Sequence, residues 1–237
     1  MHIAQIDYLS SSGESFFHRA LPVTKMVFCF SGLFFVILSS GPMKLAVLFA
    51  FLLVLLAVAR IPLKLVFHLL LYPFLFALFF ALMASNWPLA ARYAILLKAI
   101  SSASLMLLLI TTTSHVDVFG IFSRFMPRLL VDIMFFTYRT LFILLEQFRN
   151  YFVNVKLRGG YRPAAFLTNI RNTSRVMGVL IMHSYDMSQR MYQIYSLRGY
   201  EGGIPIKMKM TPLRANDILI FAFSIILLTG AFIPWNL

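Results

Sequence analysis

Charge is what this sequence has least of. Only 12% of its 237 residues are Asp, Glu, Lys or Arg, about half the share usual in a soluble domain. Acidic charge is scarcer still, at 8 residues, so an enzyme that needs clustered carboxylates has little to build with. A single cysteine, Cys29, lies in an apolar run and excludes a disulfide framework. The first 20 residues lack the basic start, apolar core and small-residue cleavage site of a signal peptide, so the amino terminus is expected to be retained. No Gly-x-x-x-x-Gly-Lys-Ser/Thr loop is present to cradle a nucleotide phosphate; "GPMK" at 41–44 is no substitute. "TTTSH" at 111–115 offers hydroxyls and an imidazole without the Gly-x-Ser-x-Gly elbow of a nucleophile. Those hydroxyls are expected to bond back to their helix.

What the chain has is hydrocarbon: 60% of its residues are hydrophobic, the composition of an integral membrane protein. The expected fold is all-α and polytopic, with about five transmembrane helices near 23–41, 44–60, 63–84, 93–113 and 218–235. In the second, Lys44 and Arg60 flank the apolar core and extend their charges toward the two interfaces. Residues 1–22 form an amino-terminal segment, 23–113 the first four spans, 114–216 a cytoplasmic domain and 217–237 the last span. The net charge is +13. Eleven Lys and Arg but only two acids, Asp186 and Glu201, fall between 149 and 214. Basic segments stay on the cytoplasmic side, which places the amino terminus inside and the carboxyl terminus outside, with Trp235 as an interfacial anchor.

Within the basic domain, Asp132, Arg139 and Glu146 recur every seven residues, followed by Arg149 and Lys156. On a helix over 128–157 this is a polar stripe beside a broad apolar face. The rival reading makes 129–148 a sixth span, at the cost of burying three charges. A second helix is expected from about 164 to 198, after Pro163, with Met177, Leu180, Ile181, Ser184, Met187, Met191 and Ile194 along one face. Met182, Met187 and Met191 offer an adaptable surface.

Both helices stop at the same short signature, "VKLRGGYRP" at 155–163 and "YSLRGYEGG" at 195–203. Gly159 and Gly199 supply the left-handed residue that ends a helix. The arginines before them, Arg158 and Arg198, complement the negative end of the helix dipole. Singly, that explanation is enough. Its repetition, with Leu157 and Leu197 before and a tyrosine after, points to two similar exposed ends serving two similar partner surfaces, a guanidinium being suited to a carboxylate in a groove.

These features, with "IDYLSSSGESFFHRALPVTKM" near the start and "LLLITTTSHVDVFGIFSRFMP" leading into the basic domain, resemble the T component of energy-coupling factor transporters, the CbiQ and NikQ type of cobalt or nickel uptake. The resemblance covers nearly the whole chain; "SLRGYEGG" matches closely, whereas "VKLRGGY" departs from the alanine-rich form common in the family. It implies a non-catalytic scaffold in a prokaryotic inner membrane with a coupling arm of long crossed helices. Its ATPase-docking residues would be Leu157, Arg158, Gly159, Leu197, Arg198, Gly199 and Tyr200. The implied partners are two ABC-type ATPase subunits, which hold ATP and Mg, and a small substrate-binding membrane component. The chain itself would carry no cofactor, and the cargo, a metal ion or a vitamin, would be chosen by that partner.

The histidines His2, His18, His68, His115 and His183 are not paired at ligand spacing, and structural roles are expected for all except His2, whose place beside the terminal amine leaves nickel or copper binding open. A membrane enzyme acting on anionic lipid could use the same basic domain, but would have only Asp186 and Glu201 there for acid chemistry. Binding to RNA, as in an insertase, would not need repeated helix ends. The charge distribution carries a topology prediction. A cysteine label near residue 203 should react from the cytoplasm only, and one at 237 from outside; labelling of 203 from the outer side would overturn the orientation.

Overall fold

The structure, a computed structural model, describes residues 7–11, 13, 15–39, 41–84, 87–162, 165–203 and 215–232. Every regular element among them is helical. After a helical turn at 7–11 come α1 (Pro22–Leu38), α2 (Pro42–Val58), α3 (Leu63–Met83), α4 (Leu89–Thr112), α5 (His115–Phe122), α6 (Arg128–Leu157), α7 (Phe166–Leu197) and α8 (Ala215–Phe232). Proline marks most of the starts. Pro22 and Pro42 open α1 and α2, and Pro62, Pro88 and Pro127 precede α3, α4 and α6. A proline there presets φ and removes an N–H that no helical carbonyl would meet.

The chain divides into two compact units, one containing the described residues up to Ile121 together with α8, the other running from Phe122 to Gly203. In the first unit α4 packs against α1, α2 and α3, and α1 also packs against α8. Its apolar residues are not confined to the core. Ser101 and Ser104 of α4 are fully buried, whereas Phe67 and Phe76 of α3 are 72% and 76% exposed. Apolar rings outside and hydroxyls inside suit a bundle surrounded by lipid.

The expectation of five spans holds only in part. Among the described residues two helices are long and apolar enough to cross a bilayer, Lys64–Met83 and Leu89–Thr112. The other three apolar helices, Pro22–Leu38, Pro42–Val58 and Asn216–Gly230, are shorter. A 17-residue helix such as α1 or α2 reaches about 25 Å, a few ångströms less than a hydrocarbon core of about 30 Å. Apolar stretches read from sequence run on past the residues where prolines and turns stop the helix. The alternative sixth span at 129–148 lies within α6, which is not one of those two long apolar helices.

Side chains close the helix ends of the first unit. The buried Lys25 ammonium donates to the Thr112 carbonyl at 2.7 Å and the His18 carbonyl at 3.3 Å, capping the end of α4 with a cation. Asp217 accepts from the Leu21 amide at 2.6 Å and the Thr24 hydroxyl at 3.3 Å, at the start of α1. His18 meets the Ser15 hydroxyl through Nδ1 at 2.6 Å and the Leu9 and Thr111 carbonyls through Nε2 at 3.1 Å each. Burial holds its pKa below the ordinary value, the nearby carbonyls opposing and the Lys25 charge adding to the shift. Between α2 and α3, Arg60 sits at φ 55°, the left-handed region that costs a residue with a side chain about 1 kcal/mol.

In the second unit α6 and α7 run antiparallel. As α6 advances from Asp132 through Phe136, Arg139 and Gln147 to Gly160 beyond its end, the groups met retreat from Gly203 through Tyr195 and His183 to Asn172. A coupling arm of crossed helices was expected. The pair meets at both ends and in the middle, so its contact is not confined to a single crossing point.

Asp217, 1% exposed, yields a stability prediction. Asp217→Ala leaves the start of α1 without its acceptor, at a cost of about 1–3 kcal/mol, while Asp217→Asn keeps an oxygen and should lose less. Thermal unfolding of the detergent-solubilised variants checks this, and melting at the wild-type temperature for the alanine form would show that the contact contributes nothing.

Candidate docking site at two helix ends

The two Leu-Arg-Gly stretches close their helices with the same hydrogen bonds. Gly159 N–H donates to the Lys156 carbonyl at 3.1 Å and Gly160 N–H to the Val155 carbonyl at 2.9 Å. Forty residues on, Gly199 N–H donates to the Ser196 carbonyl at 3.0 Å and Tyr200 N–H to the Tyr195 carbonyl at 3.0 Å. Each is a Schellman closure, which turns the last carbonyls inward onto amides beyond the helix. Gly159 and Gly199 have φ of 70° and 72°, and a Cβ on either would meet open space. Glycine is needed there for its backbone freedom and not for room.

This closure leaves the residues before the glycine outermost. Leu157 and Leu197 are 80% and 88% exposed, and Arg158 and Arg198 beside them are exposed. Each end thus presents an apolar side chain and a guanidinium on a turn whose backbone is already satisfied. Because the helices are antiparallel, the two ends lie at opposite extremities of the pair. Arg158 follows the end of α6, whereas Arg198 lies beside its start, where Tyr195 and Tyr200 flank Phe136 with ring centroids 4.9 and 6.0 Å away. The rise of α6 between those points separates them by about 40 Å.

The tyrosines after the two glycines act differently. Tyr161 packs edge-on against Phe152, with centroids 5.9 Å apart, and the first end is otherwise tied by amides. Asn169 spans the Arg162 N–H and carbonyl at 3.0 and 2.6 Å, and Asn172 donates to the Gly160 carbonyl at 2.5 Å. Tyr200 instead donates its hydroxyl to the buried carboxylate of Asp132. That hydrogen bond is the largest influence raising the tyrosine pKa, with burial and the Asp132 charge adding to it. The same carboxylate oxygen accepts the Gly203 N–H at 2.7 Å.

The polar stripe on α6 is therefore not simply a solvent face. Its spacing is as the sequence implies, but Asp132 points inward and Arg139 donates to the Tyr195 hydroxyl at 3.0 Å; Glu146 is exposed. Periodicity locates a stripe without saying which side of it is covered. On α7 the packed face centres on Val176 and Leu180, both buried, while Met177 and Ile181 of the expected face are 47% and 68% exposed. Met182 is exposed as well, and Met187 and Met191 are half-buried.

The other sequence candidates have local structural partners. Thr111 and Thr112 donate to the Leu107 and Leu108 carbonyls at 2.7 Å each, the back-bonding expected of them. His115 meets Asp7 at 3.1 Å, His183 meets Gln147 at 2.7 Å, and His68 lies edge-on to Tyr72. Among the described residues no three His, Cys, Asp or Glu side chains come together as a metal site would require. His2 lies outside the described residues.

A family model described as CbiQ, cobalt transport protein, matches residues 13–210, a stretch that contains both helix ends. A protein of Methanocaldococcus jannaschii described as "Uncharacterized protein MJ1089" is 27% identical over 142 residues, 57% of this chain. The chain spans about half of that relative's length, 51%.

The positive φ at both glycines fixes the outcome of replacing them. Gly159→Ala and Gly199→Ala should each destabilise their helix end by about 1 kcal/mol, without disturbing the packing between α6 and α7. Hydrogen exchange of the last turn in the full-length protein checks it; exchange unchanged by alanine would mean that the left-handed closure is not what holds the turn.

Proposed function

The chain belongs to the CbiQ cobalt transport protein family, and from that premise we propose that it is the transmembrane coupling subunit of an energy-coupling factor transporter, a non-catalytic scaffold between two ABC-type ATPase subunits and a small substrate-binding membrane component. Arg158 and Arg198 each enter a groove on one ATPase and pair there with a carboxylate, while Leu157 and Leu197 make the apolar contact beside it. ATP and Mg are bound by the ATPases. The cargo is cobalt or nickel, chosen by the substrate-binding partner. The first unit is the membrane part, its three shorter helices crossing with the help of flanking polar residues, and the second unit is the cytoplasmic arm.

One observation carries this reading: the same closed turn occurs twice, each time with an exposed Leu-Arg pair at its apex, at opposite ends of one antiparallel helix pair. A cation that merely complements a helix dipole needs no exposed leucine before it. Two matching ends about 40 Å apart suit a pair of like partners held side by side. Because α6 and α7 touch along their length, the spacing is set by a rigid element, which favours simultaneous engagement over loose tethering.

Removing one guanidinium would strand a carboxylate in its groove, a loss of roughly 2–5 kcal/mol for a buried pair, and would turn a bivalent attachment into a monovalent one. The double variant Arg158→Ala, Arg198→Ala should therefore abolish copurification of the ATPases and metal uptake, while the chain stays folded in the membrane. Lysine at either position should rescue only partly, because a point charge does not reproduce the planar fork. A double variant that still holds the ATPases at wild-type strength and transports would sink the docking role.

A further inference from the structure

The two docking ends share a backbone but not an anchor. Around the first, the ties come from Asn169, Asn172 and the Tyr161 ring. The second is held by a carboxylate from the other helix of the pair: Asp132, 3% exposed, near the start of α6. Its donors bracket the loop that leaves Arg198: the Tyr200 hydroxyl two residues after the arginine, and the Gly203 N–H, 2.7 Å away, five residues after it. Between them the chain turns through Gly202 and Gly203 at φ 96° and 86°. Neither glycine is forced by crowding: a Cβ on Gly202 would meet nothing, and one on Gly203 only ordinary contact with Arg128. The double glycine instead gives the backbone the left-handed course that returns the Gly203 amide to the carboxylate. This accounts for "YEGG", the part of the second signature that the first lacks.

We propose that Asp132 is the positioning residue of the Arg198 end, fastening that end, and not the Arg158 end, to the start of α6. Granted that Arg198 docks an ATPase, Asp132 has two effects. It holds the turn that presents Leu197 and Arg198 before a partner arrives, so less ordering remains to be done on binding. It also passes a pull on that end to the first turns of α6 through two charge-assisted hydrogen bonds, which are about twice as strong as neutral ones. The rings of Phe136, Tyr195 and Tyr200 are mutually in contact beside the tie and hold the Tyr200 ring against α6.

Two measurements on the full-length protein test this. The first is hydrogen exchange. Asp132→Asn keeps an acceptor and loses the charge, Asp132→Ala loses both, and Tyr200→Phe removes one donor and leaves the carboxylate in place. Exchange across 199–203 should rise in the order Tyr200→Phe or Asp132→Asn, then Asp132→Ala, while 158–162 stays as in the wild type. The second is capture of co-expressed ATPase subunits when one docking end alone remains. With Arg158→Ala, so that only the second end is left, Asp132→Asn should weaken capture on the order of tenfold, the weight of one charge-assisted hydrogen bond. With Arg198→Ala, so that only the first end is left, the same change should leave capture unaltered. Tyr200→Phe repeats the comparison in a variant with no change at Asp132, so that misfolding around the buried site is not mistaken for the effect. Equal loss in both backgrounds, no loss in either, or exchange at 199–203 unmoved by Asp132→Ala overturns the proposal. ATPase capture indifferent to both arginines sinks the docking reading and the positioning role with it, a result distinct from one in which the arginines matter and Asp132 does not.

Discussion

A helix end leaves backbone groups without partners, and in a chain this poor in charge those groups must be met by whatever few polar atoms are at hand. That constraint organises both units. In the first, the rare ionised side chains are placed at termini, Lys25 on the last carbonyls of α4 and Asp217 on the amide that opens α1. Prolines open or immediately precede four of its helices and so bring no N–H to satisfy. The hydroxyls of Thr111 and Thr112 turn back into their own helix. With these helix ends closed from within, the outer face is free to be hydrocarbon, as α3 shows with Phe67 and Phe76.

The second unit meets the same constraint by bending the backbone onto itself. Gly159 and Gly199 allow the last carbonyls of α6 and α7 to be closed by main-chain amides, with no side chain committed. The arginine before each glycine is thereby left available, where at the end of α4 the cation is buried in the cap. The α2–α3 junction shows the alternative. There Arg60 itself takes the left-handed position, with its N–H on the Ala57 carbonyl and that of Ile61 near the Leu56 carbonyl. An arginine in the turn and an arginine before it are different objects: the first bears the strain of the closure, the second is presented by it.

Much of this was legible because single residues carried it. The bounds of α6 follow from Pro127 and Gly159, and the stop of α7 from Gly199, so the helices of the arm could be placed almost to the residue. The lengths of the apolar helices were harder, since hydrophobicity continues through residues such as Ala59 that the structure leaves outside the helices. Asp132 was visible as a member of a polar stripe, but its donors come from residues 68 and 71 positions away. No local period encodes a contact at that distance. The antiparallel pairing of α6 with α7 was hidden for the same reason: it is fixed by pairs such as Phe136 with Tyr195 and Gln147 with His183, each unremarkable on its own stretch of sequence.

Alike in backbone and unlike in anchorage, the two ends of the pair have different mechanical consequences. An α-helix resists stretching because lengthening it breaks its hydrogen bonds, so partners held at both ends of α6 and α7, as the proposed function has them, could not change their separation by extending the pair. A change in the partners' spacing must be absorbed by rotation of the pair or by give at its ends. The Arg158 end sits on the short connection between the helices, tied by neutral amides that can be exchanged for water at little net cost. The Arg198 end is bound across to the start of α6 by the buried Asp132 carboxylate, whose hydrogen bonds are stronger than those between neutral groups. On the proposed docking role, give is therefore concentrated at the first end and transmission at the second, and the same Leu-Arg-Gly sequence would serve as a compliant contact in one place and a stiff one in the other.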